Sequence, residues 1–342
     1  MSVWAEFNPL ESIVIGSLPE PEKLLPFTSL KGRYANYFAE IINRSRSELD
    51  HLEKVIRGFG VKTYRSKQHY PIFNGSTINT PPLGIRDIYT VYGDSVFKGN
   101  QAFEWTREFP HSCDDALSTQ NYRSIYELDT HDIFYNDNFD LFDAEEHLAR
   151  PFWHPSLALR CGNDIFISES YNNDGNRLGE EKYRHWAQSV NPKLKFHLVR
   201  CDGHLDGQLF LIRPGMLLTS LDEHQLPEFF DSWDKIHVEP VKDQWWNKKN
   251  TIRHKHFHPV IAKSFFNFLQ TCTEETYFDV NSLSIDEHTV LFTGSHPELF
   301  KKLEKKGITC IGMDMNATMF WDNGTHCVTN ELSRKGELED YA

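Results

Sequence analysis

Along this chain of 342 residues, the spacing of apolar and polar positions switches repeatedly between the period of a strand and that of a helix. Four stretches read as strand, tight turn, strand. They are residues 87–98, turning at Gly93-Asp94; 157–168, turning at Gly162-Asn163; 208–219, turning at Pro214-Gly215; and 282–293, turning near Asp286-Glu287. In each, β-branched or aromatic residues flank turn formers, which is the pattern of a hairpin. Helical segments lie between them. Over residues 36–57, Phe38, Ile41, Ile42, Leu49, Leu52, Val55 and Ile56 keep a helical period. Gly58 and Gly60 end that helix, and residues 61–65 read as a strand. The same order recurs at 180–190, passing through Asn191-Pro192 into a strand at 195–200, and at 297–306, passing through Gly307 into 308–314.

The hairpins recur roughly every 50–70 residues, a spacing that implies an array or ring of similar units. Two strands, at 12–16 and around 327–332, have no hairpin of their own. Pairing them supplies a fifth unit and closes a ring, which leaves no sheet edge exposed. No linker or low-complexity tract divides the chain, so residues 1–342 are expected to form a single domain.

Composition narrows the function. With 39% hydrophobic and 13% aromatic residues the chain builds a packed core, which excludes disorder as a description of the whole. The net charge of −13 argues against nucleic acid or an anionic membrane as partner, because both need a basic footprint. The longest apolar run, residues 209–218, is too short to span a bilayer and is broken by Arg213 and Pro214. The first residues lack the pattern of a secretory signal. The six cysteines form no C-x-x-C pair and read as free thiols in a reducing compartment, so a cytoplasmic location is expected.

Residues with chemical potential cluster near the hairpins. Arg86-Asp87 opens the first, and Asp164 opens the second strand of the second. His204-Leu205-Asp206 opens the third, and Thr325-His326-Cys327 precedes the last strand. In a ring, corresponding positions converge on one axis, bringing together a thiol, an imidazole and three carboxylates. Taken singly, each has a plainer reading. Cys327, like Cys161 or Cys201, suits a buried small hydrophobe, the aspartates suit turns, and His204 is one of 17 histidines. His254, His256 and His258 at spacing two would share one face of a strand, as metal ligands do, but a solvated segment is the preferred reading. Trp245-Trp246 suits core or a pocket wall. Lys301, Lys302, Lys305 and Lys306 suit a solvated helix face.

Five segments resemble the amidinotransferases of the guanidino-group-modifying superfamily, a family that includes the glycine and inosamine-phosphate enzymes. The opening Glu6-Phe-Asn-Pro-Leu-Glu-Ser-Ile-Val-Ile-Gly16 is similar to their E-W-D-P-L-E-x-V-x-V-G. Arg86-Asp87-Ile88 resembles R-D-I, and Gly162-Asn-Asp-Ile-Phe166 resembles G-x-D-I-F. His204-Leu-Asp206 resembles H-I-D, and Gly324-Thr-His-Cys327 resembles the H-C segment. The matches run in order over nearly the whole chain.

The resemblance implies a five-bladed pseudo-symmetric α/β propeller, the pentein fold, in agreement with the repeat. It also implies roles. Cys327 is the nucleophile and His204 the general acid and base, oriented by Asp164. Asp87 and Asp206 hold the guanidinium, with Arg86 beside them on the substrate side. No metal or cofactor is implied, the partners are arginine or another guanidine and a primary amine, and a homodimer is suggested. These roles suit the chemistry. A guanidinium is a planar cation that carboxylates grip bidentately. Its carbon is a poor electrophile, so it needs a thiolate nucleophile and a protonated leaving amine. A guanidine hydrolase such as an arginine deiminase, and a catalytically silent binding protein on the same ring, are the alternatives. Two departures stand out. Residues 219–224 lack the arginine expected to grip the donor's carboxylate, and an F-D-A-A-D-like stretch is replaced by His154-Pro-Ser-Leu-Ala158.

Overall fold

The computed structural model of the protein describes residues 2–25, 31–67, 83–100, 109–128, 151–169, 174–201, 203–238, 280–321 and 323–342. Within them, fifteen strands make five three-stranded sheets of one design. The first sheet joins β1 (Leu10–Ile15) and β2 (Lys62–Arg65) to β15 (Thr329–Arg334). The others follow in chain order: β3 (Tyr89–Tyr92), β4 (Ser95–Lys98) and β5 (Ser124–Glu127); β6 (Ala158–Cys161), β7 (Asp164–Ser168) and β8 (Lys195–Val199); β9 (Leu209–Arg213), β10 (Met216–Thr219) and β11 (Asp234–His237); β12 (Leu283–Asp286), β13 (Thr289–Thr293) and β14 (Thr309–Met313). In each sheet an antiparallel pair is extended by a parallel third strand, as β6 with β7 and β7 with β8. The parallel pairing requires a crossover, which α2 (Arg33–Gly58) supplies in the first sheet, α4 (Asp174–Val190) in the third and α5 (Pro297–Glu304) in the fifth. Short helices α1 (Pro21–Leu24) and α3 (Asp114–Leu117) complete the described set.

Burial separates the outer strand of a sheet from the other two. β3, β6 and β15 are buried at every position, as are the middle strands β4 and β7, whereas β5 is exposed at three of its four positions and β8 is buried only at Val199. Counted this way, β15 is the inner strand of the first sheet, delivered from the other end of the chain. Its antiparallel pairing with β1 closes the ring, as the unpartnered strands at 12–16 and 327–332 predict. The expected hairpins and third strands at 61–65, 195–200 and 308–314 are present. β5 and β11 were not legible: like the other outer strands they bury little, and no long described helix leads into them to mark their place. The histidine triplet 254–258, Trp245-Trp246 and Cys272 lie outside the described residues. On α5, Lys301 pairs with Glu298 at 2.7 Å, and just past its end Lys306 pairs with Asp234 at 2.6 Å. No helix among the described residues is long and apolar enough to cross a membrane.

The hairpin turns share the far side of the ring. The N-terminal segment runs across them, pairing Val3 with Gly93 and Ala5 with Cys161. The C-terminal tail also lies there. Gly162 turns with φ +62°, and any Cβ on it would strike the Glu339 carbonyl, so this turn admits only glycine. Through this packing Glu6 projects into the axis. There Arg160 donates from Nε to Glu6 Oε1 (2.8 Å) and from Nη2 to Glu331 Oε1. Arg86 donates from Nη2 to Glu331 Oε2 (2.6 Å) and from Nε to the Thr329 carbonyl (3.1 Å). Arg334 donates to the carbonyls of Asn8 (2.6 Å) and Ser284 (3.0 Å). Burial, together with the neighbouring guanidiniums of Arg160 and Arg86, brings the Arg334 pKa down to about 9 against the pull of Glu6. Burial alone would raise the Glu6 pKa, but Arg160, His326 and Arg86 hold it well below the carboxylate range.

Breaking a buried ion pair on one side leaves charge stranded in a low-dielectric interior, at a cost of about 3–5 kcal/mol. Glu331→Gln keeps the shape and strands two guanidiniums. We expect it to lower stability by about that amount, seen as a fall in the urea midpoint at unchanged slope. An unchanged midpoint would show that the axis does not depend on this carboxylate.

Candidate active site

Each inner strand is preceded by a tight turn, and these turns meet at the near end of the axis. Asp87 ends the 3₁₀ turn Ile85–Asp87 before β3, and Asp206 sits in the turn Leu205–Gly207 before β9. His154 precedes the turn Pro155–Leu157 before β6. Asn281 and Cys327 each lie two residues before an inner strand, β12 and β15. Chain-distant residues therefore converge because they hold the same place in a repeated unit.

Cys327 is buried in a frame set by Asn281. Asn281 Oδ1 accepts the backbone N–H groups of His326 (3.0 Å) and Cys327 (3.1 Å), which leaves its Nδ2 to donate to Cys327 Sγ at 2.9 Å. The same Nδ2 reaches Asp206 Oδ2 at 3.3 Å, and that oxygen stands 3.8 Å from Sγ. Gly324 is required next to this frame, since a Cβ there would meet the Asn281 side chain and the Thr293 hydroxyl. Asp206 Oδ2 also pairs with His326 Nδ1 at 2.7 Å, while His326 Nε2 faces Glu6 Oε2 at 3.8 Å. His326 thus connects the axial ion cluster to the thiol's carboxylate. Burial raises the Asp206 pKa, but the His326 bond, with the charges of His326, His204 and Arg86, outweighs it and keeps Asp206 ionised. Its other oxygen, Oδ1, is buried and has no hydrogen-bond partner among the described residues. An ionised carboxylate with an unfilled acceptor beside a thiol is suited to a cation that donates hydrogen bonds.

His204 sits between two groups. Its Nδ1 is 3.6 Å from Asp87 Oδ1, and its Nε2 is 3.3 Å from His154 Nδ1. Burial and the neighbouring His204 bring the His154 pKa down to about 4, against the pull of Asp87. His154 is therefore neutral near pH 7, and among the described residues Asp87 is a carboxylate that faces His204.

Two sequence-based assignments need correction. Asp164 does not orient His204. It is the first residue of β7, at the turn end of its hairpin, and its Oδ1 pairs with His197 Nε2 at 2.7 Å. A four-residue strand, roughly 13 Å long, separates that end from the converging turns. Arg86 does not face a ligand, because its guanidinium is committed to Glu331 and the Thr329 carbonyl in the axis. Of the rival thiols, Cys161 is pushed by burial well above its ordinary value, and Cys201 is buried and donates to Ser168 Oγ at 3.1 Å. Asn281 was missed, although counting back from the fourth hairpin to the position Cys327 holds before its strand would have found it. His154 was noticed only as part of a replaced stretch.

Two predictions follow from this geometry. A hydrogen bond to a charged group contributes about 1.5–3 kcal/mol, so Asn281→Ala removes stabilisation of a thiolate at Cys327. We expect iodoacetamide labelling of Cys327 at pH 7, followed by intact mass, to slow by tenfold or more (~1.4 kcal/mol or above). An unchanged rate would mean that Asn281 does not act on the sulfur. His154 supplies the second. Below pH about 6.5 the unfolded chain's histidine takes up a proton that folded His154 refuses until about pH 4, so stability falls as pH drops through that window. In His154→Asn the difference between urea midpoints at pH 7 and pH 5 should shrink; an equal difference would remove His154 from the titration.

No protein-family model matches the chain. Curated relatives include the mitochondrial glycine amidinotransferase of Xenopus tropicalis, 22% identical over 385 positions that cover 98% of this chain and 83% of that protein. The L-arginine:L-lysine amidinotransferase of Pseudomonas savastanoi pv. phaseolicola is 25% identical over 189 positions, covering 53% of this chain and 44% of that protein. Among solved structures, an amidinotransferase of the saxitoxin biosynthetic pathway from Microseira wollei superposes with a TM-score of 0.73 at 20% identity, over 100% of this chain and 99% of the other. Inosamine-phosphate amidinotransferase from Streptomyces griseus gives 0.71 at 18% identity, over 99% and 98%. With its five sheets and converging turns the chain has the five-bladed α/β ring of the pentein fold, and over nearly its whole length it is similar to amidinotransferases.

Proposed function

We propose that the protein transfers the amidino group of arginine, or of a related guanidine, to a primary amine through a covalent intermediate on Cys327. One observation carries this reading: Cys327 Sγ lies 3.8 Å from an ionised, buried Asp206 whose second oxygen has no partner among the described residues. A guanidinium N–H donated to that oxygen brings the amidino carbon toward the sulfur. Asp87, partly open to solvent, supplies a second carboxylate.

The Cys327 thiolate attacks the amidino carbon, forming a C–S bond. His204 gives a proton to the departing nitrogen, the C–N bond breaks, and with arginine as donor ornithine leaves. The acceptor amine then attacks the amidino-cysteine. His204 takes its proton, the C–S bond breaks, and the thiolate returns. Asp87 stabilises His204 while it is charged, and His154 positions the ring from the other side. The division of labour requires no group beyond those of the chain and its two substrates. Residues 1–342 act as one domain in this reading, and five described cysteines with free thiols suit a reducing, cytoplasmic setting.

Incubation with arginine, with and without candidate amines, tests the proposal. Intact mass is expected to show an amidino adduct on Cys327, absent in Cys327→Ala, and ornithine release that rises on adding amine. Citrulline in place of amine-dependent ornithine would make the protein a guanidine hydrolase. No adduct and no turnover across a panel of guanidines would leave a binding protein.

A further inference from the structure

Asp87, His154 and His204 offer three donor atoms that lie within 4.8 Å of one another. Each comes from the turn before a different inner strand, so rigid blades hold them rather than one mobile loop. His154 Nδ1 and His204 Nε2 are 3.3 Å apart. Donors about 2.0–2.1 Å from a tetrahedral zinc are separated by roughly that distance. Two imidazoles and one carboxylate are a common ligand set for Zn²⁺ and its neighbours in the transition series. The Asp87 side chain is 19% exposed while that of His204 is 7% exposed, so the cluster opens to solvent on the carboxylate side. An ion seated there would have three ligands among the described residues.

We propose that Asp87, His154 and His204 bind one divalent transition-metal ion of the Zn²⁺ class. The site uses the acid–base histidine and one of the guanidinium carboxylates assigned above, so the ion and a guanidine exclude each other. That last consequence rests on the proposed function; the binding itself does not. The rival account of the geometry is an N–H···N hydrogen bond between two imidazoles, with no ion.

Optical titration of the full chain with Co²⁺, and retention of Zn²⁺ after dialysis, decide between the two. We expect one equivalent bound, with the visible ligand-field bands of a low-coordinate Co²⁺ site. His154→Ala and Asp87→Ala should each abolish those bands or weaken binding beyond the roughly 10–100-fold that outer-sphere partners are worth, with far-UV circular dichroism unchanged. Asp87→Ala, at the open edge of the site, serves if His154→Ala does not fold. A triple His254→Ala/His256→Ala/His258→Ala variant should bind as the parent does. Absence of binding, binding that survives both single substitutions, or binding lost in the triple variant would overturn the assignment. A sulfur-to-cobalt charge-transfer band lost in Cys327→Ala would also overturn it. Loaded protein should resist arginine labelling of Cys327 until chelator is added. If arginine fails to label even the metal-free protein, the transferase reading fails, and the optical result still decides the metal site.

Discussion

Glu331 carries the arrangement on which the rest depends. It sits on β15, fully buried, and takes guanidinium groups from Arg86 on one oxygen and Arg160 on the other. These come from the turn before β3 and from β6, so one carboxylate ties three blades together. Glu6 adds the N-terminal segment through Arg160. Ionic contacts at the centre of a fold are costly to desolvate and repay that cost only when each charge is met with good geometry. The ring supplies such geometry by bringing inner strands from all parts of the chain to one axis. The result is registry: the strand that carries Cys327 at its start is locked against the strands that carry its neighbours.

The active-site groups grow out of that lock. His326 has Glu6 on one nitrogen and Asp206 on the other. Asp206 in turn faces Cys327, and Asn281 braces both the sulfur and the backbone that presents it. The charged carboxylate beside the thiol is thus supported from beneath, which lets it stay ionised while buried. The His204 ring, whose charge also acts on Asp206, stands between Asp87 and a neutral His154. The candidate site is asymmetric: an ionised carboxylate, Asp206, beside the thiol, and two imidazoles beside Asp87.

Much of the ring was legible because turns and periodicity are local. Gly93-Asp94, Gly162-Asn163 and Pro214-Gly215 mark hairpins through backbone requirements that any reader of the chain can apply. Asp87, His204, Asp206 and Cys327 stood out because they precede inner strands. Asp164 misled because it opens a strand too, but the second strand of its hairpin, whose start is the turn end. Arg86 misled because adjacency to Asp87 does not decide direction: in a tight turn, neighbouring side chains point to different sides. β5 and β11 left no pattern, since they bury little and, unlike the other outer strands, follow no long described helix.

By itself, then, the sequence determined the five-unit repeat, its closure by the first and last strands, and the chemical types gathered near the hairpins, because those follow from periods and turn residues. Only the tertiary structure decided which carboxylate serves which partner. Asp87 rather than Asp164 faces His204, Arg86 turns inward to Glu331, and Asn281 and His154 enter the site. Those outcomes depend on side-chain direction and on contacts between blades tens of residues apart, and neither is encoded in the spacing along a single strand.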